Sequence, residues 1–277
     1  MEPQDPVMTP EEYLLLNEHI AGRFGISFSE SRRQVLEIRL RPRVKALRLR
    51  SFRDYYLYLQ CDTNGESQKL AEAVTNNETY FFREPDLLAD LLDTSPGLSG
   101  RSEALHILSA GCSSGEEPYT LAILAQTHVT RRRKARLDID AVDLDLGRLT
   151  QARQAEYGRS SLRLLQPEEI DRYFTATGPG RWSLNAAFRS GIRFSWGNLI
   201  DLQTLPVPAG TYDAVLCRNV LIYFSEDAVR RAIQNFATLL RPEGLLILGA
   251  TESIIGLSSR FETFRLGRGI AYRRTGP

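Results

Sequence analysis

From residue 104 onward, short apolar runs alternate with amphipathic segments, and this alternation restricts the possible folds more than any other feature of the chain. Apolar runs of strand length lie at residues 104–109, 137–142, 192–196, 214–217 and 245–249. Patterns typical of helices lie between them, at residues 116–126, 147–155 and 226–240. Strands that alternate with helices form a mostly parallel sheet covered on both faces, which predicts an α/β domain. Residues 261–266 and 270–273, joined by a glycine-containing turn, predict a terminal hairpin.

The N-terminal part, residues 9–75, follows a helical pattern without a strand signal. Thr9 is suited to cap the first helix and Gly25 to end it. The segment 29–50 combines apolar positions with many arginines, as in an amphipathic helix with a basic face. Pro42 is expected to kink or break that helix. Further helical patterns follow, so these helices are predicted to form a small module of their own.

Two composition changes predict the domain boundaries. Residues 93–101 are rich in Pro, Gly and Ser, as is typical of a loop or an interdomain linker, and we predict a helical domain over residues 1–90 and an α/β domain over residues 91–277. The alternation of strands and helices stops over about residues 158–191, where the sequence TGPGRW is a turn signal between short strands. We interpret this stretch as a small inserted β-subdomain.

Composition excludes several classes of protein. The chain has 277 residues with 35 Lys and Arg against 34 Asp and Glu, so it lacks the overall basic field of a dedicated nucleic-acid binder. Three cysteines without C-x-x-C spacing and three histidines without a ligand motif predict neither disulfides nor a bound metal. No secretory signal pattern and no run of roughly 20 apolar residues is present. We therefore expect a cytoplasmic protein that does not insert into membranes.

The first apolar run leads into a loop of small residues, AGCSSGEEP at 110–118, and a helical pattern follows at once. Small residues let a ligand approach the backbone, and a helix N-terminus offers free N–H donors. Asp143 ends the second apolar run, where a carboxylate can accept hydrogen bonds from ribose hydroxyls. The alternative explanation for the loop is a tight turn between strand and helix without a ligand. The alternative role for Asp143 is to cap the next helix, for which Asp145 is equally suited. Together these features favour a nucleoside-bearing cofactor.

Two further stretches combine residue types that a hydrophobic core excludes. NNETYFFRE at 76–84 mixes amides and an arginine with three aromatics, and CRNVLIYF at 217–224 does the same directly after an apolar run. Buried amides and arginines are costly unless they are paired, so their concentration at a strand end indicates a lined pocket. A helix cap beside an aromatic cluster is the alternative explanation for either stretch alone.

Six sequence blocks resemble, in their residues and in their order, those of the CheR family of chemotaxis receptor glutamate methyltransferases. The blocks are NNETYFFREP, ILSAGCSSGEEPYTLAI, AVDLDLGRLTQA, GNLIDL, YDAVLCRNVLIYF and LRPEGLLILGATESI. The resemblance implies a small N-terminal all-helical domain and a Rossmann-like class I S-adenosylmethionine methyltransferase domain with a small inserted β-subdomain. It also implies transfer of a methyl group from S-adenosylmethionine to glutamate side chains of chemoreceptors, the methyl-accepting chemotaxis proteins, with S-adenosylhomocysteine as the product.

Carried over position by position, the family's cofactor contacts fall on Asn77, Thr79, Arg83, Glu116, Asp143, Asn198, Leu199, Arg218 and Asn219. The resemblance assigns Asp143 to the ribose hydroxyls and Glu116, in preference to Glu117, to the methionine end of the cofactor. It implies Arg83 and Tyr223 as catalytic residues. Arg83 is suited to the cofactor carboxylate or to the incoming glutamate carboxylate, and Tyr223 is expected close to the transferred methyl group.

The implied substrate is the acidic helical cytoplasmic region of a chemoreceptor, bound by a monomer of this protein. Residues 23–53 carry ten cations, including Arg39, Arg43 and Arg50, against two carboxylates, so we predict a basic docking face on the helical module. A solvated surface is the alternative for such a run. Two other functions stay open. The first is binding of S-adenosylmethionine by a catalytically silent protein. The second is methylation of nucleic acid, although the Asn/Asp-Pro-Pro-Tyr/Phe motif of such enzymes is missing from the sequence.

Overall fold

The computed structural model describes residues 5–61, 64–98, 104–127, 136–205 and 209–276. Contacts divide the chain into two compact units. The first unit comprises Met1–Asn76 and Ile222–Arg231, and the second comprises Asn77–Leu221 and Ala232–Pro277. The predicted boundary near residue 90 lies inside the second of these units.

The helices, in chain order, are α1 (Pro10–Phe24), α2 (Arg33–Ala46), α3 (Phe52–Gln60), α4 (Glu66–Val74), α5 (Pro85–Leu98), α6 (Glu116–Thr127), α7 (Leu146–Gln154), α8 (Pro167–Tyr173) and α9 (Glu226–Leu239). Helices α1 to α4 confirm the predicted all-helical N-terminal part. The Thr9 hydroxyl accepts from the N–H of Glu12 and the Glu12 carboxylate accepts from the N–H of Thr9, so this capping box fixes the start of α1. Gly25, with a φ of 81°, ends it.

Two predicted breaks of helical structure are not observed, and the alternative of a kink at Pro42 stays a prediction. Pro42 lies inside α2 and does not end it, because the buried residues Leu36, Leu40 and Val44 hold one face of the helix on both sides of the proline. The residues 93–98 of the predicted linker belong to α5, and residues 99–101 lie outside the described part of the chain. The apolar leucines of α5 outweigh the turn signal of its last residues, since Leu88, Leu91 and Leu92 are buried in the core.

The strands are β1 (Ala104–Ala110), β2 (Arg136–Asp143), β3 (Glu156–Gly158), β4 (Phe174–Gly178), β5 (Arg181–Leu184), β6 (Ile192–Trp196), β7 (Tyr212–Cys217), β8 (Leu240–Leu248), β9 (Phe261–Leu266) and β10 (Gly269–Arg274). Seven of them form a sheet in the order β6-β2-β1-β7-β8-β10-β9. Strands β6, β2, β1, β7 and β8 run parallel, and β10 is antiparallel to both β8 and β9. The predicted parallel sheet and terminal hairpin are confirmed.

The predicted inserted subdomain is also confirmed as a separate small sheet. Strands β3, β5 and β4 pair antiparallel in that order, and α8 precedes β4. Phe81 and Tyr157 lie in an aromatic cluster with Phe174 of the insert, with ring centroids of Phe81 and Phe174 4.9 Å apart. No helix in the described part of the chain is long and apolar enough to cross a membrane.

The carboxyl ends of the parallel strands lie at one edge of the sheet. Ala110 at the end of β1 is paired with Val142, the residue before Asp143, and Ser109 is paired with Leu216 near the end of β7. In such sheets the loops that leave this edge form the ligand site. The loops after β1, β2, β6 and β7 are therefore the ones that the structure brings together in the second unit.

Candidate functional site

The glycine loop after β1 folds back onto the end of β2. The N–H groups of Gly111 and Cys112 both donate to the Val142 carbonyl, at 2.8 and 3.0 Å. Gly111 has a φ of 83° and its hypothetical Cβ would lie 2.5 Å from Cγ2 of Val220, so the loop requires glycine both for its backbone conformation and for space. Gly115, with a φ of 91°, then leads into the first turn of α6.

Asp143 is buried at the end of β2, with 7% of its surface exposed. Its carboxylate accepts from the N–H of Ser113 in the glycine loop at 2.7 Å and from the N–H of Asp145 at 2.9 Å. Burial nevertheless raises the pKa of this carboxyl to about 6. Each carboxylate oxygen can accept more than one hydrogen bond, so Asp143 retains acceptor capacity for a ligand hydroxyl.

Asn77 lies beside the same two loops. Its side-chain amide donates to the Asp145 carboxylate at 2.7 Å, and its carbonyl accepts from the Ser113 hydroxyl at 3.3 Å. The other Asp145 oxygen accepts from the N–H of Arg148 and caps α7, so Asp145 rather than Asp143 takes the N-cap role that the sequence left open. The structure therefore brings Asn77 and the Asp143 loop together, as predicted from separate blocks.

Glu116 and Glu117, at the start of α6, have different partners. Glu116 is 1% exposed and accepts from the hydroxyls of Ser114 and Ser161, the latter at 2.9 Å, while burial raises its pKa. Glu117 accepts from the hydroxyl of Ser109 at 2.8 Å and from Arg218 at 2.9 Å. Both carboxylates are thus held by protein donors, and which of them contacts a cofactor stays a prediction.

Asn198 and Leu199 lie in the loop that follows β6. The N–H of Asn198 donates to the Thr204 hydroxyl at 2.8 Å, and its side-chain oxygen accepts from the N–H of Ile200 at 3.2 Å. Leu199 is 6% exposed, and its carbonyl accepts from the side chain of Asn235 at 2.8 Å. This loop leaves the carboxyl edge of the sheet beside Asp143, since Asp143 is paired with Trp196.

Arg218 and Asn219 directly follow β7, and Glu252 fixes the turn that they form. The Glu252 carboxylate accepts from the N–H groups of Asn219, Val220 and Gly249, at 2.7, 2.9 and 2.8 Å. Asn219 has a φ of 60°, in the left-handed region that asparagine tolerates better than most non-glycine residues. Glu252 lies in the last of the six sequence blocks, but nothing in the sequence marks it individually as a partner of this turn.

Arg83 lies in the loop before α5, close to Tyr80. Its guanidinium lies 5.5 Å from the centre of the Tyr80 ring. The Arg163 guanidinium lies 3.7 Å from the centre of the same ring. Arg163 is neutralised by Glu78 at 2.9 Å, whereas Arg83 has no ion-pair partner among the described residues. Thr79, in the same loop, is half-buried. Arg83 is therefore a cation available to an incoming carboxylate.

Tyr223 belongs to the first compact unit. Its carbonyl accepts from the N–H of Ser27 at 2.8 Å, and its hydroxyl accepts from the side chain of Asn76. The neighbouring Phe224 forms an antiparallel bridge with Ile26. These contacts explain why residues 222–231 group with the helical unit, although the sequence places them after a strand of the sheet.

Two family models match the chain and divide it at residues 75 and 77. The CheR methyltransferase SAM binding domain matches residues 77–270, and the CheR methyltransferase all-alpha domain matches residues 11–75. The chain belongs to the CheR methyltransferase family. It is an S-adenosylmethionine-dependent methyltransferase, and S-adenosylmethionine is its cofactor.

Curated relatives of this CheR family member match it over most of their length. Chemotaxis protein methyltransferase 2 of Vibrio cholerae is 33% identical over 96% of this chain and 93% of that protein. Chemotaxis protein methyltransferase 1 of Pseudomonas aeruginosa is 33% identical over 90% and 92%, respectively. The chemotaxis protein methyltransferase of Escherichia coli is 34% identical over 89% of this chain and 85% of that protein. The predicted family and fold class are confirmed.

The residues at the carboxyl edge of the sheet fit S-adenosylmethionine. Among the described residues, Nε of Arg218 and Oδ1 of Asn219 are buried polar atoms without a hydrogen-bond partner, and they belong to neighbouring residues after β7. Buried polar atoms normally have partners, so an unpaired donor and acceptor here are consistent with a polar ligand that supplies them. Asp143 adds a carboxylate with acceptor capacity for ribose hydroxyls.

Proposed function

We propose that this protein transfers the methyl group of S-adenosylmethionine to glutamate carboxylates of chemoreceptors and forms glutamate methyl esters. Membership of the CheR family and the relatives named chemotaxis protein methyltransferases support the reaction class. The observation that carries the proposal in this chain is Arg83, whose guanidinium has no ion-pair partner among the described residues. A carboxylate such as that of glutamate is a ligand that an arginine guanidinium binds through two parallel hydrogen bonds.

The cofactor is proposed to contact the nine residues assigned from the family resemblance: Asn77, Thr79, Arg83, Glu116, Asp143, Asn198, Leu199, Arg218 and Asn219. Asp143 is the strongest of these assignments, because it is a buried carboxylate beside a glycine loop. We assign it to the ribose hydroxyls. Arg218 and Asn219 are assigned through their unpaired Nε and Oδ1 atoms.

The reaction needs positioning rather than proton transfer. S-adenosylmethionine supplies a methyl group that its positively charged sulfur already activates. The substrate carboxylate is ionised at neutral pH, since the ordinary pKa of glutamate is about 4.3, so no residue of this chain has to act as a base. Arg83 is assigned to hold that carboxylate in line with the methyl group, where orientation contributes most of the acceleration. Tyr223 is assigned to the surroundings of the methyl group.

The experiment measures methyl transfer from labelled S-adenosylmethionine to a receptor fragment by the full-length protein. Arg83→Ala is expected to lower kcat at least tenfold while S-adenosylhomocysteine affinity changes less, because orientation matters mainly in the transition state. Tyr223→Phe is expected to cause a smaller loss. Arg268→Ala, an exposed arginine of the β9–β10 turn, is the matched control. An Arg83→Ala enzyme with parental kcat and only weakened cofactor binding would show that Arg83 is a binding residue.

The proposed partner is the acidic helical region of the receptor, but part of the predicted basic face is used inside the helical unit. Arg39 donates to the carbonyls of Val74 and Thr75, and Arg43 forms two hydrogen bonds with Glu66. Both arginines are therefore structural, and reversing their charge would damage the fold rather than test docking. The exposed basic cluster, Arg48, Arg50 and Arg53, is the better candidate because its side chains have no hydrogen bond or ion pair among the described residues.

A cytoplasmic location and a monomeric state complete the proposal. The names of the relatives give no support to a catalytically silent protein of the same fold. The labelled-methyl assay nevertheless distinguishes the two: a silent protein binds S-adenosylhomocysteine and leaves the receptor unlabelled. A nucleic-acid methyltransferase would label nucleic acid and leave the receptor unlabelled.

A further inference from the structure

The main chain around Arg83 is held in an unusual conformation. Phe82 has a φ of 59° and Glu84 a φ of 51°, so the residues on both sides of Arg83 occupy the left-handed region without being glycine. Such a conformation is strained for a non-glycine residue and persists only where neighbouring contacts enforce it. Contacts within the second unit must therefore hold the backbone of residues 82–84 in this conformation.

The contacts that hold it converge on the backbone of residues 81–84. The N–H of Phe81 donates to the Ser161 carbonyl at 2.9 Å, and the N–H of Phe82 donates to the Thr120 hydroxyl at 3.1 Å. The carbonyl of Arg83 itself accepts from NH2 of Arg218 at 2.7 Å. The Arg83 main chain is thus fixed by an arginine that follows β7, 135 positions further along the chain.

Arg218 is in turn held by two carboxylates. Its NH2 group lies 2.7 Å from Glu84, and its NH1 group lies 2.9 Å from Glu117 on α6. The Arg218 side chain is 2% exposed, whereas Glu117 is 17% and Glu84 is 36% exposed. The two carboxylates raise the pKa of Arg218 against the opposing effect of burial. Glu117 also accepts a hydrogen bond from the Ser109 hydroxyl of β1. The network of hydrogen bonds therefore connects the backbone around Arg83 to the sheet.

We propose that Glu84 and Arg218 are positioning residues that hold the Arg83 main chain, and thereby aim the Arg83 guanidinium at the substrate carboxylate. Arg218 can make all three contacts at once because its guanidinium is planar and carries several N–H donors. NH1 donates to Glu117, and NH2 donates to both Glu84 and the Arg83 carbonyl. The Nε of Arg218, which is buried without a hydrogen-bond partner among the described residues, stays available to the cofactor. This inference rests on the proposed function of Arg83 but concerns residues that act through it.

Glu84→Gln is the informative variant, because Glu84 is assigned no contact with the cofactor. The amide keeps the size of the side chain and removes the charge that holds Arg218. We expect kcat for receptor methylation to fall about tenfold while the dissociation constant of S-adenosylhomocysteine changes less than threefold. Glu84→Asp keeps the charge but shortens the side chain, so it should lower kcat less than Glu84→Gln does. Glu262→Gln removes an exposed ion pair with Arg273 and serves as the control with unchanged kcat.

A double-mutant cycle separates positioning from a general structural effect. In an Arg83→Lys background, Glu84→Gln should cause less than a twofold further loss of kcat, because the residue through which Glu84 acts is already altered. A full additional tenfold loss would overturn the proposal, as would parental kcat for Glu84→Gln or an equal fall in cofactor affinity. Thermal unfolding of every variant identifies loss of folding, and Glu84→Asp then replaces Glu84→Gln in the cycle.

Failure of the proposed function is distinguishable from failure of this inference. If the parental protein transfers no methyl group to the receptor, the proposed function fails. Amide hydrogen exchange of Phe82, Arg83 and Glu84 in the same full-length variants then decides the inference. Faster exchange in Glu84→Gln than in Glu262→Gln supports the holding role of the network, and equal exchange contradicts it.

Discussion

Arg43 provides a test of how the helical unit is held together. Its Nε and NH2 groups donate to the two oxygens of Glu66 at 2.8 and 2.7 Å, and the Tyr55 hydroxyl donates to the same carboxylate at 2.9 Å. Glu66 is 5% exposed and Arg43 is 27% exposed, so the pair is largely shielded from water. Burial and the Glu66 charge raise the pKa of Tyr55, which keeps its hydroxyl protonated as a donor.

Arg43→Ala removes both charge-assisted hydrogen bonds and leaves the carboxylate in a buried position. Breaking a buried ion pair costs about 3–5 kcal/mol, and the partial exposure of Arg43 favours the lower end, about 3 kcal/mol. Since about 1.4 kcal/mol is a tenfold change, amide hydrogen exchange in α2 and α4 should become about 100-fold faster. Arg50→Ala, an exposed arginine of the same basic run, should change exchange less than threefold. Parental exchange rates in Arg43→Ala would refute the structural role.

Three further results are expected. S-adenosylhomocysteine affinity should fall as the pH drops below about 6, because the Asp143 carboxyl then takes up a proton and loses acceptor capacity; calorimetry that finds a constant affinity contradicts this. Gly111→Ala should lower thermal stability, since its Cβ would lie 2.5 Å from Val220 at a φ of 83°, whereas Gly178→Ala has open space and should not. Replacement of Arg48, Arg50 and Arg53 by glutamate should slow receptor methylation most at low salt and leave cofactor affinity unchanged. A parental methylation rate at every ionic strength would show that the receptor docks elsewhere.

Much of the second unit could be predicted because its signals are local. Apolar runs gave β1, β2, β6 and β7, and the strand ends placed Asp143 at the edge where the glycine loop lies. The prediction failed where a local signal competes with packing over a distance. Pro42 is a helix breaker by itself, but the buried face of α2 keeps the helix intact.

The partners of charged residues could not be read from the sequence. The run of arginines in residues 23–53 predicts a basic face, yet only the fold shows that Arg39 and Arg43 are engaged internally. Arg218 meets Glu84 and Glu117 across 134 and 101 positions, a pairing that no spacing rule contains. The grouping of Tyr223 with the helical unit depends on backbone pairing with residues 25–27, which is equally distant in sequence.

The chemical nature of the product tests the central claim most directly. A receptor fragment is incubated with the full-length protein and S-adenosylmethionine labelled in its methyl group, and the labelled receptor is then treated with mild base. Methyl esters of glutamate hydrolyse under these conditions, so the account predicts that the label is released as methanol and that no label enters a fragment whose glutamates are replaced by alanine. Label that resists base, or a receptor that gains none while the protein binds S-adenosylhomocysteine, would contradict glutamate methylation.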